Sequence, residues 1–274
     1  MYKEFLRVRN IFLAFAITVV AIALIVFAFS GHATVNIDTN AHAVHQGSGA
    51  AHSTDSVNVY APGVEISNQD RVPFSVLLAL AGFVAAIFGT VLGTCLAAEN
   101  CGHLDIAWTR PASRVAYALR LMTIDALGIL AIFAFTVGVS VALLYVEHWQ
   151  KYLYPENTTW VFLVSFVAYA LAWFGLVAAL TASVRAKAGA IAGFSWVIAG
   201  ALIVLSSLNL PPAIHTLVTL INYLNPLLYG SYSSGPEAAR HLFNITPAFA
   251  ISALFGITIL GVGAALAQWR RLEA

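Results

Sequence analysis

Residues 126–146 read ALGILAIFAFTVGVSVALLYV, 21 positions without an Asp, Glu, Lys, Arg or His. A bilayer core about 30 Å thick is crossed by about 20 predominantly apolar residues at the rise of an α-helix. The run is continuous and does not alternate with a period of two, so it reads as a helix and not as a barrel strand. Extended back to residue 121, it is one of six such stretches. The others are 11–30, 73–97, 160–182, 188–208 and 248–267. The fold class read from this pattern is an all-α integral membrane protein, a single transmembrane domain over residues 1–274 with six spans.

Composition points the same way. The chain is 60% apolar and 9% charged, whereas soluble domains run at roughly 45–50% and about 25%. Lipid must therefore be the solvent for most of the surface. A net charge of +1 with no basic patch gives nucleic acid nothing to bind. Lys3, Arg7 and Arg9 ahead of the first apolar run resemble the start of a signal peptide. The run itself, 11–30, exceeds the roughly 7–15 residues of a signal-peptide core, so it reads as a retained span.

The cations set the orientation. With the N-terminus in the cytoplasm, the inner side carries Lys3, Arg7, Arg9, Arg110, Arg114, Arg120, Arg185, Lys187, Arg270 and Arg271. The outer side carries Arg71, Lys151 and Arg240. Both termini are thus expected in the cytoplasm of a plasma (inner) membrane protein. The outer loop 31–72 is polar, with a hairpin expected near 57–66. The connection at 147–159 holds Trp149, Tyr152 and Tyr154, suited to the interface, and Trp160 follows it. In the third outer connection, 213–229 is half-apolar and reads as a short helix at or dipping into the outer interface.

Between the second and third spans lies a short polar island, 97–114, AAENCGHLDIAWTRPASR. Glu99 to Trp108 has the residues for two to three helical turns. Arg110 precedes Pro111, which pushes it out of helical geometry. Ser113 can then cap the helix that re-enters the membrane. A short rigid helix fixed between two spans transmits force from whatever it touches.

These residues resemble the first cytoplasmic loop of type-2 ATP-binding-cassette (ABC) permeases: Glu99-Asn100-x-Gly102-x-Leu104-Asp105, then Thr109-x-Pro111-x-Ser113-Arg114. The layout is also similar, with a basic N-terminal elbow, six spans, and Tyr223-Leu224-Asn225-Pro226-Leu227 before the sixth. The resemblance implies that the loop is a coupling helix seated in a separate ATPase subunit. Glu99, Asn100, Gly102, Leu104 and Asp105 would form or brace it, and Pro111, Ser113 and Arg114 would set the turn back into the membrane. It further implies a permease subunit, an exporter by function, paired with a second copy or a paralogue. The chain has no G-x-x-x-x-G-K-[ST] phosphate loop, so it is expected to bind no cofactor itself and to draw on ATP through its partner. It is not expected to be an enzyme.

Other candidates read as structural. His32, His42, His45 and His52 have no tight ligand spacing and read as a solvated loop. Cys95 and Cys101 read as reduced thiols. Gly89-x-x-x-Gly93 and Gly189-x-x-x-Gly193 allow close helix approach, within the chain or between copies. Asp125 sits near the cytoplasmic edge of its span, where it reads as a helix-pairing or interfacial carboxylate, with a polar contact in a translocation path as the other reading. The alternative to a transporter is a membrane anchor or assembly factor whose outer loop is the binding module.

Overall fold

The computed structural model describes residues 2–30, 72–102, 113–146, 153–154, 159–184, 187–208, 211–234 and 246–271. The hairpin expected at 57–66, the four histidines of the first outer loop, and Trp149 and Tyr152 lie outside the described residues. The described chain is helical: α1 Tyr2–Ser30, α2 Phe74–Leu92, α3 Cys95–Gly102, α4 Arg114–Val146, α5 Thr159–Thr181, α6 Ala188–Ser206, α7 Pro212–Asn222, α8 Pro226–Ser234 and α9 Pro247–Arg271. Six of these helices are long and apolar enough to cross a membrane. A two-residue parallel pairing joins β1, Val72–Pro73, to β2, Leu153–Tyr154.

The centre of the bundle is a layer of three parallel helices, α2, α5 and α9. Side chains are small where these helices meet, because lipid offers no hydrophobic drive for helices to associate and close backbone approach must supply the packing. A side-chain carbon at Gly89 would meet the Ala170 carbonyl oxygen at 3.1 Å, and one at Gly93 would meet Val177 Cβ at 2.8 Å. The Gly89-x-x-x-Gly93 motif is therefore spent inside the chain. Across the other face of α5, Gly175 and Gly261 bring backbone against backbone. Gly189 and Gly193, the second motif, meet nothing within 4 Å.

Aromatic rings lock α5 to its other neighbours. Trp173, fully buried, stacks on Trp196 of α6 with ring centroids 4.0 Å apart. Trp196 donates its indole N–H to Thr90 Oγ1 of α2 at 3.0 Å. The remaining long helices, α1, α4 and α6, run antiparallel to the central layer. Gly128 of α4 faces Val8 of α1, while Phe12 meets Phe135 edge-on.

Three local expectations change. The second span runs from Phe74 to Glu99 but is not one helix: α2 ends at Leu92, the chain turns through Gly93–Thr94, and the span continues into α3. Thr181 Oγ1 donates to the Gly93 carbonyl oxygen at 3.0 Å, holding that turn against α5. The basic elbow is not a separate element among the described residues, because α1 runs unbroken from Tyr2 to Ser30. The single outer helix expected at 213–229 is a hairpin of two, α7 and α8, split at Tyr223-Leu224-Asn225 because Pro226 opens a new helix.

Candidate functional site

One end of the bundle holds a group of polar contacts between helices that includes its charged pair. It is the end where α1 begins and α9 finishes, and where α2 hands over to α3. Arg7 Nη2 donates to Asp125 Oδ1 at 2.6 Å, tying α1 to α4. Asp125 is 0% exposed and Arg7 24%. In lipid such a carboxylate is tolerable only when paired. The helix-pairing reading of Asp125 thus acquires a partner 118 residues away in sequence. The pair is sparsely bonded for its burial: Arg7 Nε and Nη1 and Asp125 Oδ2 are buried without a hydrogen-bond partner. The buried, free Cys95 thiol that opens α3 lies within reach of Asp125.

Two further bonds finish this end. Tyr117 of α4 donates its hydroxyl to Glu99 Oε2 of α3 at 3.3 Å. Gln268 of α9 donates to the Ala179 carbonyl oxygen of α5 at 2.8 Å. Ser113 accepts the Ala116 backbone N–H on its hydroxyl at 3.2 Å, which is the N-cap geometry of a helix beginning at Arg114.

Of the residues singled out in the sequence, Glu99 and Ser113 are seen making contacts at this end. Asn100 and Gly102 belong to the backbone of α3, and Arg114 to the first turn of α4. Leu104, Asp105 and Pro111 lie outside the described residues. Sequence reading missed Arg7 and Tyr117 as participants. Arg7 counts there as one inner cation among ten, one turn ahead of the apolar run 11–30, where nothing local marks it as needing a partner.

The opposite end is built differently. Asn222 donates to the Leu202 carbonyl oxygen of α6 at 2.9 Å, and Asn225 donates to the Ala199 carbonyl oxygen at 2.9 Å and to Asn222 Oδ1 at 3.0 Å. Asn225 Oδ1 accepts the Leu227 N–H, capping α8. Ala199 lies seven residues before the end of α6, so the hairpin tip reaches back along α6 by about 10 Å at 1.5 Å per residue. The α7–α8 hairpin therefore dips back into the bundle. Tyr229 donates to the Tyr223 carbonyl oxygen at 2.9 Å, and burial, reinforced by Tyr223, pushes its phenol up to about 12. One face of α7 stays apolar and exposed through Ile214, Leu217, Leu220 and Ile221.

Among the described residues no cluster of His, Cys, Asp and Glu could hold a metal ion. Set against family models, curated proteins and solved structures, the chain matches none of them.

Proposed function

We propose that the protein is the permease subunit of an ATP-binding-cassette transporter, an exporter of the plasma (inner) membrane that works with a separate ATPase subunit. The observation that carries this reading is α3: a short helix that follows the Gly93–Thr94 turn, prolongs the second span to its end and is braced to the third through Glu99 and Tyr117. A helix held that way moves two spans together when pushed. The ten-to-three cation bias favours that end for the cytoplasm, where an ATPase would dock. Gly102, Leu104 and Asp105 would then contact the ATPase, and Pro111 and Arg114 would shape the return.

A second copy or a paralogue is favoured by the outward faces of α2 and α6. Val76, Leu80, Phe83 and Ile87 form one exposed apolar stripe, and Phe194, Val197, Ile198 and Val204 form another. Phe83 meets the edge of Trp196 at 5.6 Å, so the two stripes adjoin. Gly193 and Gly200 sit unfilled beside the second, and such faces suit close helix packing between subunits.

The test is co-purification with an ATPase encoded beside the gene and co-expressed with it. Gly102→Glu and Leu104→Glu, with membrane insertion unchanged, are expected to abolish capture of the ATPase. Retention of full capture by both variants would remove the island as the docking site. Absence of any ATPase partner, with function mapping to 31–72, would favour the anchor reading instead.

A further inference from the structure

We propose that α1 is a detachable strap, held on the bundle by the Arg7–Asp125 pair and placed by it under the influence of α3. The contacts of α1 with the rest of the described chain concentrate in its first half. Arg7 meets Asp125, Val8 packs on Gly128, Phe12 meets the edge of Phe135, and Phe15 meets the edge of Phe88 at 5.0 Å. Beyond Ala16 none of the described side chains of α1 is buried: Val19 and Ala23 are half-buried, and Ile17, Val20, Ile22, Leu24 and Ile25 are exposed. An open apolar groove of about 340 Å³ runs there along Leu13, Ile17, Val20 and Leu24 of α1 and Phe135 of α4.

The chemistry of the four contacts is unequal. Three are apolar, and an apolar side chain leaving a helix neighbour for an acyl chain loses little, since both are hydrocarbon. The fourth is a charge-assisted bond to a fully buried carboxylate, which an acyl chain cannot replace. The pair therefore decides whether α1 stays attached.

It is also built to be released. A guanidinium and a carboxylate can share two parallel bonds; here one is made, and three buried polar atoms remain without partners. A further approach to Asp125 comes from Cys95, the first residue of α3. Displacement of α3 about the Gly93–Thr94 turn shifts the groups around Asp125 and so bears directly on the bond that retains α1. The strap itself follows from the contacts of α1; only the origin of a push on α3 rests on the proposed function.

The experiment is cross-linking in native membranes. Phe12→Cys and Phe135→Cys, whose rings are 5.8 Å apart, are introduced together with Cys95→Ala and Cys101→Ala, and the rate of joining by a short bis-thiol reagent is followed. Arg7→Gln is expected to slow the reaction at least tenfold. Because that variant leaves Asp125 unpaired in lipid, the combined Arg7→Met and Asp125→Leu variant is measured too. It carries no unpaired charge and is expected to insert normally, give an unchanged size-exclusion profile in detergent, and cross-link as slowly as Arg7→Gln. Cross-linking of the combined variant at the parent rate would show that apolar packing holds α1, and would overturn the proposal. Failure of the combined variant to insert would overturn it as well, since the pair would then hold the whole bundle. Neither result bears on whether an ATPase docks at α3.

Discussion

The two ends of the bundle solve the same problem with opposite chemistry. At the α7–α8 end, two neutral amides are satisfied at every side-chain atom: Asn222 and Asn225 bond each other, two carbonyls of α6 and the first turn of α8. At the other end a charged pair makes one bond and leaves three polar atoms unmatched. A fully satisfied buried network rigidifies what it joins, and a partly satisfied one keeps alternatives close in energy. The amide end is thus a fixed corner, and the charged end is where the bundle can change shape. It is also the end that carries α3.

The largest effect should come from the charged end. Asp125→Ala leaves the Arg7 guanidinium buried without a counter-ion, and removing one member of a buried pair costs about 3–5 kcal/mol. The detergent-solubilised variant should unfold at a lower midpoint than Asn225→Ala, Ser113→Ala or Tyr117→Phe. A midpoint within a degree of the parent would mean that Arg7 escapes to water, and that the pair is a surface contact. Asn225→Ala ranks next. It strips the cap from α8 and leaves Asn222 Oδ1 and the Leu227 N–H without partners, at about 2 kcal/mol. Because that loss is confined to one corner, proteolysis should find α7 and α8 before it finds α5. Simultaneous cleavage throughout the chain would instead make the hairpin part of the core.

How far the sequence discloses these two ends depends on the range of the interactions. The spans were legible because 20 apolar residues are a local signal, and Ser113 was legible because a cap sits beside the helix it caps. Pro226 carried the break between α7 and α8 in plain view, and the half-apolar character of 213–229 obscured it. The Arg7–Asp125 pair joins residues that no spacing relates. Gly89 and Gly189 head the same motif, yet one is filled by α5 and the other faces open space. Which face of a helix finds a neighbour is settled by the tertiary arrangement. Gly175 and Gly261, each followed four residues later by Ala179 and Ala265, carried a small-x-x-x-small signal that a search for paired glycines passes over.

Smaller substitutions probe the α3 end more finely. Ser113→Ala removes the acceptor for the Ala116 N–H and should destabilise the start of α4 by about 1 kcal/mol. Ser113→Asp should recover most of that, since a carboxylate accepts the same bond and favours a helix N-terminus. A Ser113→Asp variant no more stable than Ser113→Ala would show that the first turn of α4 is held from elsewhere.

The smallest effect is also the most diagnostic. Tyr117→Phe deletes the hydroxyl that reaches Glu99 across 3.3 Å. The bond is long and its carboxylate only half-buried, so the change in stability should be about 0.5 kcal/mol, at the low end for a hydrogen bond. Its consequence for α3 should be larger than its consequence for the fold. Glu99 is the described side chain of α3 seen bonded to α4, and without Tyr117 the far half of the helix loses that tie. Hydrogen exchange of the amides at 96–102 should therefore quicken in Tyr117→Phe, while those of α5 stay unchanged. Equal exchange in parent and variant would mean that α3 is already loose, and a loose helix would not move two spans together.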